Sequence, residues 1–217
     1  MTKSIYDQLN ASGTVAKQRV VETFSGSALD TDRWENGFGS NCTPTMGYNG
    51  TEGVSFVTNG TSNAIYMAGF DNKRQYNPQG FRYISTCKKN GDGSGGSGDD
   101  YIGVRGGIGS ADNPATIPHM AVMSEGSFVS SRALTTNNGG SYVDTYASTP
   151  VALSQTEFMF DIVGTPSSIT LTFDGALQIT KTTALPTSKC QPLMYTQDRG
   201  TPAVKSWRTI YMECYNT

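Results

Sequence analysis

TEFMFDIVGTPSSITLTFDGALQITKTT, residues Thr156 to Thr183, decides the fold. Phe158, Phe160 and Ile162 alternate with Glu157, Met159 and Asp161; Ile169, Leu171 and Phe173 alternate with Ser168, Thr170 and Thr172. A period of two puts each apolar set on one face of a half-buried strand. Asp174-Gly175 follows, and Leu177 and Ile179 take up the alternation again. An Asp-Gly pair tolerates the positive φ angles of a tight primed turn, so the last two strands are expected to form a hairpin whose apolar face carries Leu177 and Ile179. Three such strands make half a β-sandwich wall.

Outward from this wall, Trp207-Arg-Thr-Ile-Tyr-Met-Glu-Cys-Tyr215 has the form of a closing strand. Phe24-Ser-Gly-Ser-Ala-Leu-Asp-Thr-Asp-Arg-Trp34 has that of an opening strand and turn. Together with Ser168-Ile-Thr-Leu-Thr-Phe-Asp-Gly175, these segments resemble the concanavalin A-like lectin/glucanase superfamily of LamG-like jelly rolls. They bracket residues 22–217. The resemblance implies an all-β jelly-roll sandwich of two antiparallel sheets with an N-terminal arm. It implies a fold more firmly than a function, because that sandwich hosts lectins, hydrolases and structural modules.

Composition agrees. A chain of 217 residues is long enough to bury a full core as one domain, and Gly 25, Pro 9, Tyr 11 and Phe 9 describe many strands joined by turns. A net charge of -2 without a basic patch argues against nucleic acid as a partner. No apolar run approaches the roughly 20 residues of a membrane span. The start, MTKSIYDQLNASGT, lacks the apolar core of a secretory signal. The expected location is therefore a virion made in a host cytoplasm and released by lysis, with the cytoplasm or non-classical release as the alternatives.

Three zones follow one another. Residues 1–21 form an arm in which Ile5, Tyr6, Leu9, Val15, Val20 and Val21 are apolar, with a short helix conceivable over Ile5 to Asn10. Such a tail either drapes over its own sandwich or docks on a neighbouring subunit. Residues 22–217 are the sandwich. Within it Val54–Val57, Ala64–Ala68, Gly80–Cys87, Tyr101–Arg105, Met120–Met123, Gly126–Val129 and Ser141–Tyr146 read as strands, and Asn49-Gly50 and Asn59-Gly60 as turns. A glycine-serine stretch from Asn90 to Asp100 carries Asp92, Asp99 and Asp100. Two readings stand: a Ca²⁺ site, or a solvated loop with no metal, since the spacing is neither that of an EF-hand loop nor that of a repeated glycine-aspartate calcium motif.

Cys42, Cys87, Cys190 and Cys214 are widely spaced, and with the single His119 they make no zinc-like set. Buried free thiols are expected, with a Cys190–Cys214 bridge as the alternative. No cofactor is implied.

Retaining glucanases of the resembled superfamily carry a Glu-x-Asp-x-Glu or Glu-x-Asp-x-x-Glu strand that supplies nucleophile and general acid. The glutamates here are Glu22, Glu35, Glu52, Glu125, Glu157 and Glu213, and none begins that motif. Glu157 and Asp161 share a strand face but stand roughly 13 Å apart, too far for retaining chemistry at about 5 Å. His119 follows Ile117-Pro118 with no nucleophile elbow beside it. The chain is accordingly expected to be no enzyme.

For binding, exposed aromatics stack on sugar faces. Tyr76, Tyr142 and Tyr146 are the candidate contacts, with Arg74 on the polar segment from Asp71 to Gly80; Tyr48 is a further candidate. The other reading makes the tyrosines core residues and Arg74 an edge tie. The arm, the single jelly-roll body and the missing catalytic motif are together similar to accessory proteins of tailed-phage virions, such as capsid decoration proteins and short fibres. That likeness implies a homo-oligomer of sister subunits, anchored through Ile5, Tyr6, Leu9 and Val15 to a virion shell or tail protein, with host-surface glycan as a further contact. The alternatives are a free carbohydrate-binding lectin-like module and a glycoside hydrolase without the usual motif.

Overall fold

The computed structural model describes residues 19–40, 42–47, 52–58, 65–70, 76–90, 97–105, 119–125, 130–131, 133–137, 142–145, 151–152, 157–199 and 206–217. Every regular element among them is a strand. In chain order they are β1 (Arg19–Glu22), β2 (Trp34–Ser40), β3 (Cys42–Met46), β4 (Val54–Thr58), β5 (Ile65–Phe70) and β6 (Phe81–Asn90). Next come β7 (Ser97–Arg105), β8 (His119–Glu125), β9 (Ser130–Ser131), β10 (Ala133–Asn137), β11 (Tyr142–Thr145) and β12 (Val151–Ala152). The last are β13 (Phe158–Gly164), β14 (Ile169–Phe173), β15 (Ala176–Lys181), β16 (Gln191–Arg199) and β17 (Ser206–Asn216).

Two antiparallel sheets form the sandwich. One has eight strands in the order β15-β14-β13-β6-β17-β4-β3, with β1 also paired to β17; the other has seven, in the order β11-β10-β8-β7-β16-β5-β2. β9 and β12 form a separate two-stranded ladder. Because β1 pairs with the C-terminal half of β17 (Arg19↔Tyr215 to Glu22↔Met212), the sheet takes in Val20 and Val21, which the sequence assigns to the arm. Residues 1–18, with Ile5, Tyr6, Leu9 and Val15, lie outside the described residues.

The deciding stretch folds as three consecutive strands. Phe158, Phe160, Ile162, Ile169, Leu171 and Phe173 are all buried. The β14–β15 hairpin turns on Asp174 (φ 46) and Gly175 (φ 81), the left-handed pair a primed turn requires. One expectation fails. Leu177 is 63% exposed, because Leu171 pairs with Ile179 while Thr172 pairs with Leu177, leaving Gln178 as the extra residue of a β-bulge. The bulge shifts the parity by one, so Leu177 joins the outward row and Ile179 keeps the inward one.

An unbroken aromatic path runs through the core. Ring centroids lie 5.5 Å apart for Tyr76–Phe81, 6.5 Å for Phe81–Tyr83, 5.8 Å for Tyr83–Phe160 and 6.3 Å for Phe160–Phe173. The opening segment closes one end: Phe24 takes a positive φ of 52°, and its ring lies 5.5 Å from Trp34. On the outer face of the eight-stranded sheet, Arg82 grips Asp161 at 2.7 to 3.0 Å and donates to the Tyr215 hydroxyl at 3.1 Å. Glu213 accepts from Arg19 at 2.7 Å and from the Tyr211 hydroxyl at 2.6 Å. These contacts lace β13, β6, β17 and β1 together. They also assign Asp161 to a structural ion pair, while Glu157 is exposed, so this pair has no catalytic geometry.

Candidate functional site: the outer face of the seven-stranded sheet

Strand parity separates the two faces of the seven-stranded sheet. Trp34, Met120 and Met194 belong to the buried core cluster. The register aligns Met194 with Ile102 and Ala68, and Ile102 with Val122, so these positions share the core side. Positions of the opposite parity line the outer face.

Three rows of that face matter. At one end Glu125 of β8 is directly opposite Asp99 of β7, which is opposite Gln197 of β16. Two residues along, Met123, Tyr101 and Tyr195 are in register across the same strands, and Tyr195 continues to Met67 and Phe38. At the other end Asn137, His119, Arg105 and Gln191 form a polar row, and Asn137 reaches Tyr142 on the edge strand β11. Directly opposite residues of an antiparallel pair have Cβ atoms about 4.5–5.5 Å apart. The register therefore sets two carboxylate residues and, about 7 Å further along the strands, two tyrosines at neighbouring positions.

Gln191 is the one position of the polar row whose surroundings are described. It is 2% exposed, and neither its amide nitrogen nor its amide oxygen has a hydrogen-bond partner.

Of the residues named from sequence, Tyr142 lies on this face and Tyr76 does not. Tyr76 is fully buried, with its backbone bridged to Cys190 at 2.7 and 2.8 Å, so its ring is core and offers no sugar platform. Arg74, Tyr146 and Tyr48 lie outside the described residues. Asp99 and Asp100 are consecutive residues of β7 rather than parts of a loop, and consecutive strand residues lie on opposite faces. That geometry separates them as calcium ligands; Asp92 lies outside the described residues, among which no group suited to a metal ion occurs. Sequence reading missed Tyr101, Tyr195 and the Asp99–Glu125 pairing.

Among the described residues, Cys190 and Cys214 supply no nucleophile. Cys87, Cys190 and Cys214 are buried and form no disulfide. Burial pushes Cys190 up to about 12, and burial, with Cys190 and Glu213 nearby, holds Cys214 well above the ordinary thiol range. A thiol kept protonated is inert.

No protein-family model and no curated protein sequence matches the chain. Solved structures do. The chain is similar to a β-glucanase of Bacillus licheniformis (TM-score 0.61, 14% identity, 92% of this chain and 98% of that one). It is similar also to a laminarinase from Flavobacterium sp. UMI-01 (TM-score 0.62, 13% identity, 91% and 99%). A third is the carbohydrate recognition domain of Emp46p (TM-score 0.59, 12% identity, 89% and 94%). The chain has the concanavalin A-like jelly-roll fold. The expectation of a non-enzymatic protein is overturned at this point: it rested on a missing same-strand motif, and the structures that share this fold along nearly their whole length include glycan hydrolases.

Proposed function

We propose that the chain is a glycan-active jelly roll: it binds a polysaccharide across the outer face of the seven-stranded sheet and cleaves it with Asp99 and Glu125. The observation that supports this reading is the register that pairs Asp99 with Glu125, two residues along the strands from the paired Tyr101 and Tyr195. One carboxylate would serve as nucleophile and the other as general acid and then general base. Retaining chemistry takes carboxyl groups about 5 Å apart, and directly opposite positions on paired strands support that reading. A sugar stacked on the tyrosine pair brings the next glycosidic bond toward the carboxylates. The β-glucanase and laminarinase likeness supports a glycan as the substrate class.

Reducing-end release from a panel of β-linked polysaccharides tests the reading. Glu125→Gln and Asp99→Asn should each lower turnover at least about a hundredfold while leaving binding within a fewfold. Tyr101→Ala should weaken binding by about tenfold. Binding without turnover in the unmodified protein defeats the hydrolase and leaves a lectin, the reading the Emp46p likeness favours.

The arm belongs to the same proposal. Its apolar Ile5, Tyr6, Leu9 and Val15 support anchoring to sister subunits and to a virion shell or tail protein, so that the sandwich meets glycan on a host surface. Deleting residues 1–18 should abolish oligomer formation in sedimentation while leaving the melting temperature of the sandwich nearly unchanged. A deleted protein that still assembles removes the anchor.

A further inference from the structure

We infer that the outer face of the eight-stranded sheet, at the corner where Met159 and Leu177 stand in solvent, receives residues 1–18 of a sister subunit. The inference rests on the reading of those residues as an anchoring arm and goes beyond it by naming the surface that the arm meets.

The exposure of two side chains provides the first argument. Met159 is 41% and Leu177 63% exposed, the two exposed large apolar side chains among the described residues. Register puts them on one strip. Leu177 is directly opposite Thr172, Thr172 is opposite Asp161, and Met159 stands two residues before Asp161 on β13. Ile84 is opposite Asp161 on the other side, and both Ile84 and Val163 are half-buried. Diagonal neighbours on paired strands lie about 7–8 Å apart, within reach of long side chains. Leu177, Met159, Ile84 and Val163 therefore make an apolar strip around the Arg82–Asp161 pair.

The β-bulge provides the second. Strict alternation in β15 would bury Leu177 beside Ile179; the extra residue turns the leucine out while Ile179 stays in. Bulges re-aim side chains, and an apolar one aimed into solvent on an edge strand marks a contact surface.

The chain ahead of β1 supplies the occupant. Residues 1–18 carry the apolar Ile5, Tyr6, Leu9 and Val15, and Lys3 and Lys17 against Asp7 alone make them basic. The strip is rimmed by the exposed carboxylates of Glu157 and Asp174, the latter accepting the Met159 N–H at 2.8 Å. Charge and apolarity thus match on both sides. The arm also joins the molecule at this face: Arg19 holds Glu213 at 2.7 Å, and Glu213 is directly opposite Ile84. A subunit that lends its arm to a neighbour and accepts one in return closes a symmetric assembly.

Sedimentation of the full chain over a range of concentrations tests the surface. Leu177→Asp should weaken association at least about tenfold with an unchanged melting temperature. Disulfide trapping locates the contact. Leu9→Cys in a tagged chain and Leu177→Cys in an untagged one, both carrying Cys42→Ser, should give a mixed disulfide when assembled together and oxidised with diamide; Cys87, Cys190 and Cys214 are buried and stay out of the reaction. Three results overturn the inference: unaltered association of Leu177→Asp, Leu177→Cys chains that cross-link only to one another, or, with both cysteines in one chain, a disulfide closed within that chain. If deleting residues 1–18 still dissociates the oligomer in those cases, the anchor stands without this surface. A full chain that never associates overturns both.

Discussion

Replacing Gly164 by alanine should cost about 3 kcal/mol or more and lower the melting temperature by about 6–12 °C. Gly164 ends β13 and is paired on both sides, with Phe81 of β6 and Ile169 of β14, so its backbone position is held twice. A Cβ there collides with the carbonyl oxygen of Pro78, and comes within 3.1 Å of that carbonyl carbon and 3.4 Å of the Met120 methyl. Pro78 has little room to retreat. Its turn is closed by Gly80 N–H donating to Asn77 at 3.1 Å, and is tied to the end of β17 by Thr217 N–H donating to Gly80 at 3.0 Å and Asn77 N–H donating to the Asn216 side chain at 3.2 Å. The clash is with fixed backbone. Gly80→Ala is the control, since its nearest contacts would be at 3.9 Å and its cost should stay within about 0.5 kcal/mol. Thermal and urea unfolding of both variants decide the matter; equal losses defeat the packing account.

Gly164 also shows what a sequence hides. Its glycine reads there as the end of an apolar alternation, and the reason only glycine fits is a turn more than eighty residues earlier in the chain. Local features were legible. The period-two runs of β13 and β14 and the Asp174-Gly175 turn are set by neighbours in sequence, and they appear as expected. The exposed Leu177 was not, because a bulge obeys the pairing partner rather than the strand's own pattern. The candidate site was still less so. Asp99 and Glu125 are far apart in the chain and become neighbours only through the β7–β8 register. A search for carboxylates on a single strand passes over them. Tyr76 erred in the other direction: a tyrosine in a polar segment reads as exposed, yet its bridge to Cys190 draws it into the core. Parity inside a strand is local information, whereas the identity of the partner strand is not.

Raising the pH should unfold the protein from within. Cys190, Cys214 and Tyr83 are buried in one core cluster and kept neutral there. Burial is the first cause in each case, pushing Cys190 up to about 12, and Cys214 and Tyr83 well above their ordinary values. The unfolded chain titrates its thiols near 9. A folded value above the unfolded one means that stability is intact below about pH 9 and is lost as the pH climbs toward 12, because the unfolded chain releases protons that the native one must keep. Each pH unit in that window removes on the order of 1.4 kcal/mol through Cys190 alone, and Cys214 adds to it. The urea midpoint should hold steady from pH 7 to 8.5 and fall steeply from 9 to 10.5, and Cys190→Ala should make that fall shallower whatever it costs at neutral pH. Thiol labelling at pH 8 should run in parallel: Cys87, Cys190 and Cys214 stay unmodified in the native protein and react at once in denaturant. A midpoint that is flat through pH 10.5, or rapid native labelling at these positions, contradicts the buried-thiol core.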